Sequence, residues 1–399
     1  MKKVLLLSNV PSPYLTPLFN KLGLEAGWDL LTCYVSRWSS NVGWSEVQAR
    51  NFVVNGEVVL DEQVSWLKAL GSQWTAALAL LQMLWQHRPD YLVIYGYTRV
   101  PQLTALFWCF ITQRPFAIGG DATYYADNAS GIRKFLKAYW LGWIARQAAA
   151  VLVVGKASRK FWEAYGARVE QIFETPFAVD NDWFAAESQQ QSAKAAAFRR
   201  QHGWEDKTVF LYAGRLIKRK NVDLLVSALR KAKQQQAVLL VVGDGEEREA
   251  LEANASGDPR IKFMGSASQQ ELAFYYALAD VLVLPARTEP WGLVINEAMA
   301  CGLAVIAHWQ CGAAVDLVAA DNGIVLRSFT VEELAVAINT LAGEREKLAL
   351  LQQQSSLKIA RWSFEHAAAA IRRAVESAGR AEKLRAKVVA TPHDWENTQ

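Results

Sequence analysis

The sequence has few of the residues that mark metal-binding, redox or secreted proteins. Of its four cysteines (Cys33, Cys109, Cys301 and Cys311), no two form a C-x-x-C pair, and its five histidines (His87, His202, His308, His366 and His393) are scattered. The sequence therefore reads as having neither a metal site nor a disulfide framework, which points to a reducing compartment. A dominant charge is also lacking. A formal net charge of +4 over 399 residues is too weak to argue for nucleic acid, although it suits an anionic small molecule or an anionic membrane surface. No apolar run reaches the roughly 18 residues that a membrane-spanning helix needs. The opening "MKKVLLLSNVPSPYLTP" has an apolar run at 4–7 only. It is too short for a secretory leader and no small-residue cleavage site follows, so it reads as a first buried strand. The expectation is a cytoplasmic protein, attached at most peripherally to the inner face of a membrane.

Hydrophobic residues are plentiful, at 52%, enough for a large core, and the length suggests two or three domains. Apolar, β-rich runs recur at 4–8, 91–95, 116–120 and 151–155, then at 209–214, 238–243, 281–285 and 304–307, separated by helix-length segments. They do not alternate with polar residues, as expected of parallel strands covered on both faces. The predicted fold class is α/β, with two Rossmann-like doubly wound domains facing across a cleft. The first domain is placed at 1–184, a linker with a helix at 185–205, and the second domain at 206–363. A last helix follows at 364–384, N-capped by Ser363 and packing back on the first domain, then a loose tail at 385–399.

Chemistry concentrates in "LVLPARTEPWGLVINEAMACGLAVIA" (282–307). A strand ends, a loop carries Glu289, and a helix starts near Gly292 with Glu297 about a turn and a half inside it. A helix start at a strand's carboxyl end presents free N–H groups and a positive dipole end, which suits phosphate. Gly292 lets an anion approach the backbone. Glu297 is placed to accept from a ribose diol and Glu289 from the hydroxyls of whatever the phosphates carry. Two solvated glutamates on a surface loop are the plainer alternative. In "YAGRLIKRKNVDLL" (212–225), Gly214 is followed by Arg215 and Lys220, cations that would neutralise a diphosphate; Lys218 and Arg219 read as solvated. "VVGDGEERE" (241–249) has a G-x-G at Gly243, but Arg248 stands where a dinucleotide loop needs glycine, so it reads as a tight turn near a nucleotide.

Together, "GRLIKRKN", "VVGDGEERE", "RTEPWGLVINEAMACGLAVIA" and "WSFEHAA" resemble the C-terminal half of family 4 glycosyltransferases, over about 206–378. The resemblance implies a GT-B fold, a retaining reaction, no separate cofactor, and a nucleoside-diphosphate sugar of UDP or GDP type as donor. It implies that Arg215 and Lys220 meet the diphosphate, Glu297 the ribose and Glu289 the donor sugar. The backbone at Trp291, Gly292 and Leu293 would touch phosphate or sugar, and "IKFMG" with Phe263 and Met264 would line the base. "NVPSPYLTPLF" (9–19) resembles the first βα loop of the acceptor domain. "TPFAVDNDWF" (175–184) resembles the segment closing that domain, with Ala178 where glycine is usual. Where many members carry a histidine at the donor sugar, this sequence reads "GGDATYYADN", and Asp121 takes the place. The implied partners are the donor and a glycan or lipid-linked acceptor.

"SGIRKFLKAYWLGWIARQ" (130–147) is a basic aromatic helix. It reads either as a bilayer-surface helix or as an ordinary helix with Phe135, Leu136, Tyr139, Trp140 and Trp143 packed inward, the second being favoured. Rival functions on the same residues are a nucleotide-sugar epimerase, a glycoside hydrolase using Glu289 and Glu297, and a binding module without turnover.

Overall fold

The computed structural model describes residues 1–37, 57–63, 71–123 and 131–390, with side chains up to residue 378. Two parallel sheets organise it. The first has seven strands in the order β3-β2-β1-β4-β5-β6-β7, and the second has six in the order β10-β9-β8-β11-β12-β13. The first-sheet strands are β1 (Lys3–Ser8), β2 (Asp29–Tyr34), β3 (Glu57–Val59), β4 (Tyr91–Tyr95), β5 (Phe116–Gly120), β6 (Ala150–Val153) and β7 (Ile172–Glu174). Those of the second are β8 (Thr208–Ala213), β9 (Ala237–Val242), β10 (Ile261–Gly265), β11 (Val281–Leu284), β12 (Ala304–His308) and β13 (Gly323–Leu326). The residues of β4, β6, β8, β9, β11 and β12 are almost all buried, which is why they form uninterrupted apolar runs.

Each sheet reverses its order once, at β1/β4 and at β8/β11. In open parallel sheets such a reversal leaves a crevice at the carboxyl ends of the two central strands, because their following helices leave for opposite faces. The loops after β1, β8 and β11 are therefore where a ligand would be held.

The segment read as a linker is part of one long helix, Asn181–Gln201. Asp180 starts it by accepting the Trp183 N–H at 3.0 Å. Phe184 and Ala195 belong to the second domain's core, so this polar, alanine-rich stretch is a domain-two helix with one apolar stripe. The last helix runs further than expected, Phe364–Ala390, so the first part of the expected tail is helical; 391–399 lie outside the described residues. Ser363 stands at its start with its hydroxyl 3.1 Å from His366 Nδ1. Ala367, Ile371, Ala374 and Val375 pack against Val4, Leu6, Phe19 and Leu152, closing one face of the first sheet. The chain thus crosses between domains twice, and Asn181 ties the crossings by donating to the carbonyls of Ile359 (3.2 Å) and Trp362 (3.1 Å).

The helix Gly131–Gln147 departs from the favoured reading. Trp140 and Trp143 are half-buried and stacked at 5.0 Å, but Phe135, Leu136 and Tyr139 are exposed. Ser130 and the "YYADN" of the preceding loop lie outside the described residues.

Candidate active site

The loops after β8 and β11 are laced together. Arg287 N–H donates to the Arg219 carbonyl at 2.9 Å, and Asn221 Nδ2 to the Pro285 carbonyl at 3.1 Å. Lys220 Nζ then lies 2.5 Å from Glu289 Oε2, with Arg219 3.2 Å from the same oxygen and 2.8 Å from the Thr288 carbonyl. Lys220 and Glu289 are 13% and 14% exposed, so this pair is largely dry, and removing Glu289 would strand Lys220. Arg219, read as solvated, is a member of the cluster; Lys218 is exposed. Arg215 is exposed in the same loop, and its carbonyl accepts the Tyr212 hydroxyl at 2.8 Å.

Glu289 is positioned from a segment that sequence reasoning passed over. Its N–H donates to the Gln310 carbonyl at 3.3 Å and its carbonyl accepts from Gly312 N–H at 3.0 Å. Cys311 Sγ is 2.8 Å from the Trp291 carbonyl. Gly292 then turns the chain with φ +92° into the helix Leu293–Ala300. A Cβ there would stand 2.8 Å from Cys311 Sγ and 3.0 Å from Leu284 Cδ2, so glycine is demanded by conformation and packing together.

Glu297 is 5% exposed. It accepts from Tyr14 Oη at 2.9 Å and Tyr276 Oη at 2.6 Å. Tyr14 comes from the loop after β1 and Tyr276 from the helix Gln269–Leu278, so one carboxylate is shared by both domains. Burial raises its pKa, against the two hydroxyl bonds that lower it. Tyr14 and Tyr276 are pushed well above the ordinary phenol value, first by burial and then by the Glu297 charge.

The G-x-G is used up in packing. A Cβ on Gly243 would lie 1.9 Å from the Gly214 carbonyl oxygen, and one on Gly245 2.3 Å from that of Leu216. Leu216 N–H donates to the Asp244 carbonyl at 2.9 Å, and Glu247 N–H to the Leu216 carbonyl at 3.0 Å. These glycines seat the loop that carries Arg215. Arg248 is engaged with Asp244 and Glu252. Phe263 and Met264 are half-buried on the edge strand β10, whose Gly265 carbonyl accepts Gly243 N–H at 2.7 Å.

In the first domain, Asp121 directly follows β5. Its carboxyl is raised first by desolvation and also by the Glu289 charge. Trp291, assigned a backbone contact, also has a buried side chain. It donates to Asn296 Oδ1 at 2.9 Å and stacks on Trp362 at 5.7 Å, while Asn296 donates to the Phe177 carbonyl at 2.9 Å. Across the domain boundary, Lys156 N–H donates to Asp316 Oδ2 at 3.0 Å. Gly155 is packed so closely that a Cβ would fall 2.4 Å from Asp316 Oδ2 and 2.7 Å from the Trp291 ring. His308 is buried behind the Glu289 loop, stacked on Phe329 at 3.6 Å and held down to about 4 by burial.

The structure therefore brings Glu289, Lys220, Gly214, Gly243, Trp291, Gly292, Leu293 and Glu297 to one end of the second sheet, while Asp121 stands exposed just past the end of β5, within reach of the Glu289 charge. Sequence reasoning missed Tyr14, Tyr276, Asn296, Cys311 and Asp316. Of these, Tyr14 and Asn296 lay in stretches already singled out.

Residues 194–356 match the family model of glycosyl transferases group 1. A GDP-mannose-dependent alpha-(1-6)-phosphatidylinositol monomannoside mannosyltransferase of Mycolicibacterium smegmatis is 29% identical over 223 residues, 52% of this chain and 56% of that one. A sulfoquinovosyl transferase of Arabidopsis thaliana is 29% identical over 198 residues, 49% of this chain and 38% of that one. The chain thus spans about half the length of the curated relatives it matches. Among solved structures, HepE of Anabaena in complex with UDP and glucose aligns with a TM-score of 0.72 and 20% identity, covering 94% of this chain and all of that one. With two parallel sheets, each reversing its strand order once, and this structural alignment, the chain has the GT-B fold, and the stretch that matches the group 1 glycosyl transferase model lies almost wholly in its second domain.

Proposed function

We propose that this chain transfers a sugar from a nucleoside-diphosphate sugar, of UDP or GDP type, to a hydroxyl of a glycan or lipid-linked acceptor, with retention at the anomeric carbon. It would do so in the cytoplasm at the inner face of a membrane, in surface-polysaccharide or lipid-linked glycan assembly. One observation carries the reading: a largely dry Lys220–Glu289 pair stands at the switch point of the second sheet. The helix N-terminus at Leu293 and the buried Glu297 lie beside it. That is an ordered row for sugar, diphosphate and ribose.

In this reaction the bond from the anomeric carbon to the diphosphate oxygen breaks and the bond to the acceptor oxygen forms on the same face. The acceptor's proton passes to the departing phosphate oxygen, so no protein base is required. Charge builds on the diphosphate, where Lys220, Arg215 and the first-turn N–H groups of Leu293–Ala300 stabilise it. Lys220 would move from Glu289 toward the diphosphate, freeing Glu289 to accept from sugar hydroxyls. Asp121 takes the opposite side of the sugar. The GDP-mannose dependence of the Mycolicibacterium smegmatis relative and the UDP in the aligned structure support a nucleoside-diphosphate donor.

The test is a thermal-shift panel with UDP, GDP, ADP, CDP and NAD on the wild type and Glu297→Ala. One nucleoside diphosphate should stabilise the wild type and not the variant. A flat panel, or a response to NAD alone, would remove the basis of the reading. With the matching donor and an acceptor, Glu289→Gln keeps a partner for Lys220 and should lower turnover roughly 100-fold or more while nucleotide binding changes only a few-fold. Equal loss of both would assign Glu289 to binding alone.

A further inference from the structure

Of the seventeen large hydrophobic side chains exposed among the described residues, eleven lie on three helices: Ser72–His87, Val100–Thr112 and Gly131–Gln147. These helices connect β3 to β4, β4 to β5 and β5 to β6, all progressing the same way across the first sheet. Right-handed crossovers therefore set them side by side on one face. Trp85 meets Trp108 edge-on at 6.5 Å and Phe110 meets Trp143 at 5.7 Å, joining the three.

Each helix turns a stripe outward. On the first it is Trp74, Leu78 and Trp85, exposed by 60%, 45% and 53%. On the second it is Leu103, Phe107, Phe110 and Ile111, and on the third Ile132, Phe135, Leu136 and Tyr139. On each helix these positions fall within an arc of about 100°, so the exposure is a continuous face and not scattered residues. The charges are one-sided. The second helix has no charged residue, the first only His87, and the third has Arg133, Lys134, Lys137 and Arg146 with no carboxylate. At the far end a cavity of about 540 Å³ walled by Phe110 and Trp143 is lined by Arg114, Arg146 and Arg168 against a single carboxylate, Glu170.

We propose that this three-helix face is a docking surface for an anionic lipid bilayer. Helices that carry apolar stripes and cations but no carboxylate match an interface whose surface is negative and whose interior is hydrocarbon. A second copy of the chain fits poorly, since pairing the face with itself buries the four cations of the third helix with no carboxylate on the three helices to meet them. No helix among the described residues is long and apolar enough to cross a membrane, so the attachment is lateral. The placement also orients the molecule. β5 ends at Gly120 at the cleft, and the third helix begins at Gly131, so Ile132, Arg133 and Phe135 stand at the cleft's end of the face. If the chain transfers sugar as proposed above, the acceptor enters from the bilayer at that end.

The test is flotation of the full chain with vesicles of phosphatidylcholine alone and of phosphatidylcholine mixed with phosphatidylglycerol. The wild type should float with the mixed vesicles and roughly ten-fold less with the neutral ones, with binding falling as salt rises. Phe107→Ser with Phe135→Ser, and Arg133→Glu with Lys134→Glu, should each cut the bound fraction roughly ten-fold without moving the melting temperature. If the serine pair melts early, Phe135→Ser alone decides, at a side chain 73% exposed. No binding by the wild type, or equal binding by the variants, overturns the proposal. So does a concentration-dependent dimer in sedimentation velocity that the serine pair abolishes, which assigns the face to a second copy. None of these readouts depends on nucleotide binding, so sugar transfer and membrane docking fail separately.

Discussion

At the scale of single residues, Glu297 is the most constrained group in the site. Both of its oxygens accept tyrosine hydroxyls, and one of those tyrosines belongs to the other domain. Tyr14→Phe keeps the ring and removes one donor from a buried carboxylate. The expected cost is about 1–3 kcal/mol, read as earlier melting; an unchanged melting temperature would show that the bond contributes nothing. A second outcome concerns pH. Burial raises the folded-state pKa of Glu297 above its ordinary value of 4.5. Stability from this group is therefore fully present below the ordinary carboxylate range and is lost as pH rises through the raised value. Glu297→Gln carries no such loss. Its stability relative to the wild type should improve between about pH 4 and about pH 8, by roughly 1.4 kcal/mol for each unit by which the folded value exceeds the unfolded one. Denaturant midpoints at the two pH values check this, and a constant difference counts against it. The sequence exposed the two glutamates because the strand end, glycine and helix start surround them. It did not expose Tyr276, a tyrosine among apolar neighbours in a helix, where nothing local distinguishes a buried donor from a packed ring.

At the scale of elements, the strands legible in the sequence were β1, β4, β5, β6, β8, β9, β11 and β12, which are the interior of both sheets. Those not read as strands, β2, β3, β7, β10 and β13, lie at or next to the edges. There, covering on two faces lapses and the residues are only partly buried. Interior strands declare themselves by two-sided burial; edge strands need the finished sheet. The loop of Gly243 and Gly245 shows a similar limit. Its glycines read as a tight turn near a nucleotide, and nothing local told that they also let two main chains touch. Gly243→Ala places a Cβ 1.9 Å from the Gly214 carbonyl at a φ of +143°. It should destabilise the second domain by about 2 kcal/mol or more and weaken nucleoside-diphosphate binding by displacing Arg215. Calorimetry and a nucleotide titration check both, and unchanged melting would mean the loop yields without strain.

At the scale of the molecule, the two-domain plan was readable, but the contacts that join the halves were not. Gly155 against Trp291 and Asp316, Tyr14 on Glu297 and Asn181 on the second crossing are each between residues more than a hundred positions apart. The returning helix has a consequence in order of synthesis. Val4, Leu6, Phe19, Tyr91 and Leu152 are among the earlier residues made, and the side chains that cover them come after Ser363. A chain cut at residue 180 should therefore aggregate or melt without cooperativity, and fusing residues 364–378 to it through a flexible linker should restore a folded domain. Cooperative melting of 1–180 alone would sink this. On the ribosome, the first domain to emerge is then the last to close: its sheet waits, one greasy face open, while the whole second domain is made and folds, and only the final crossing seals it.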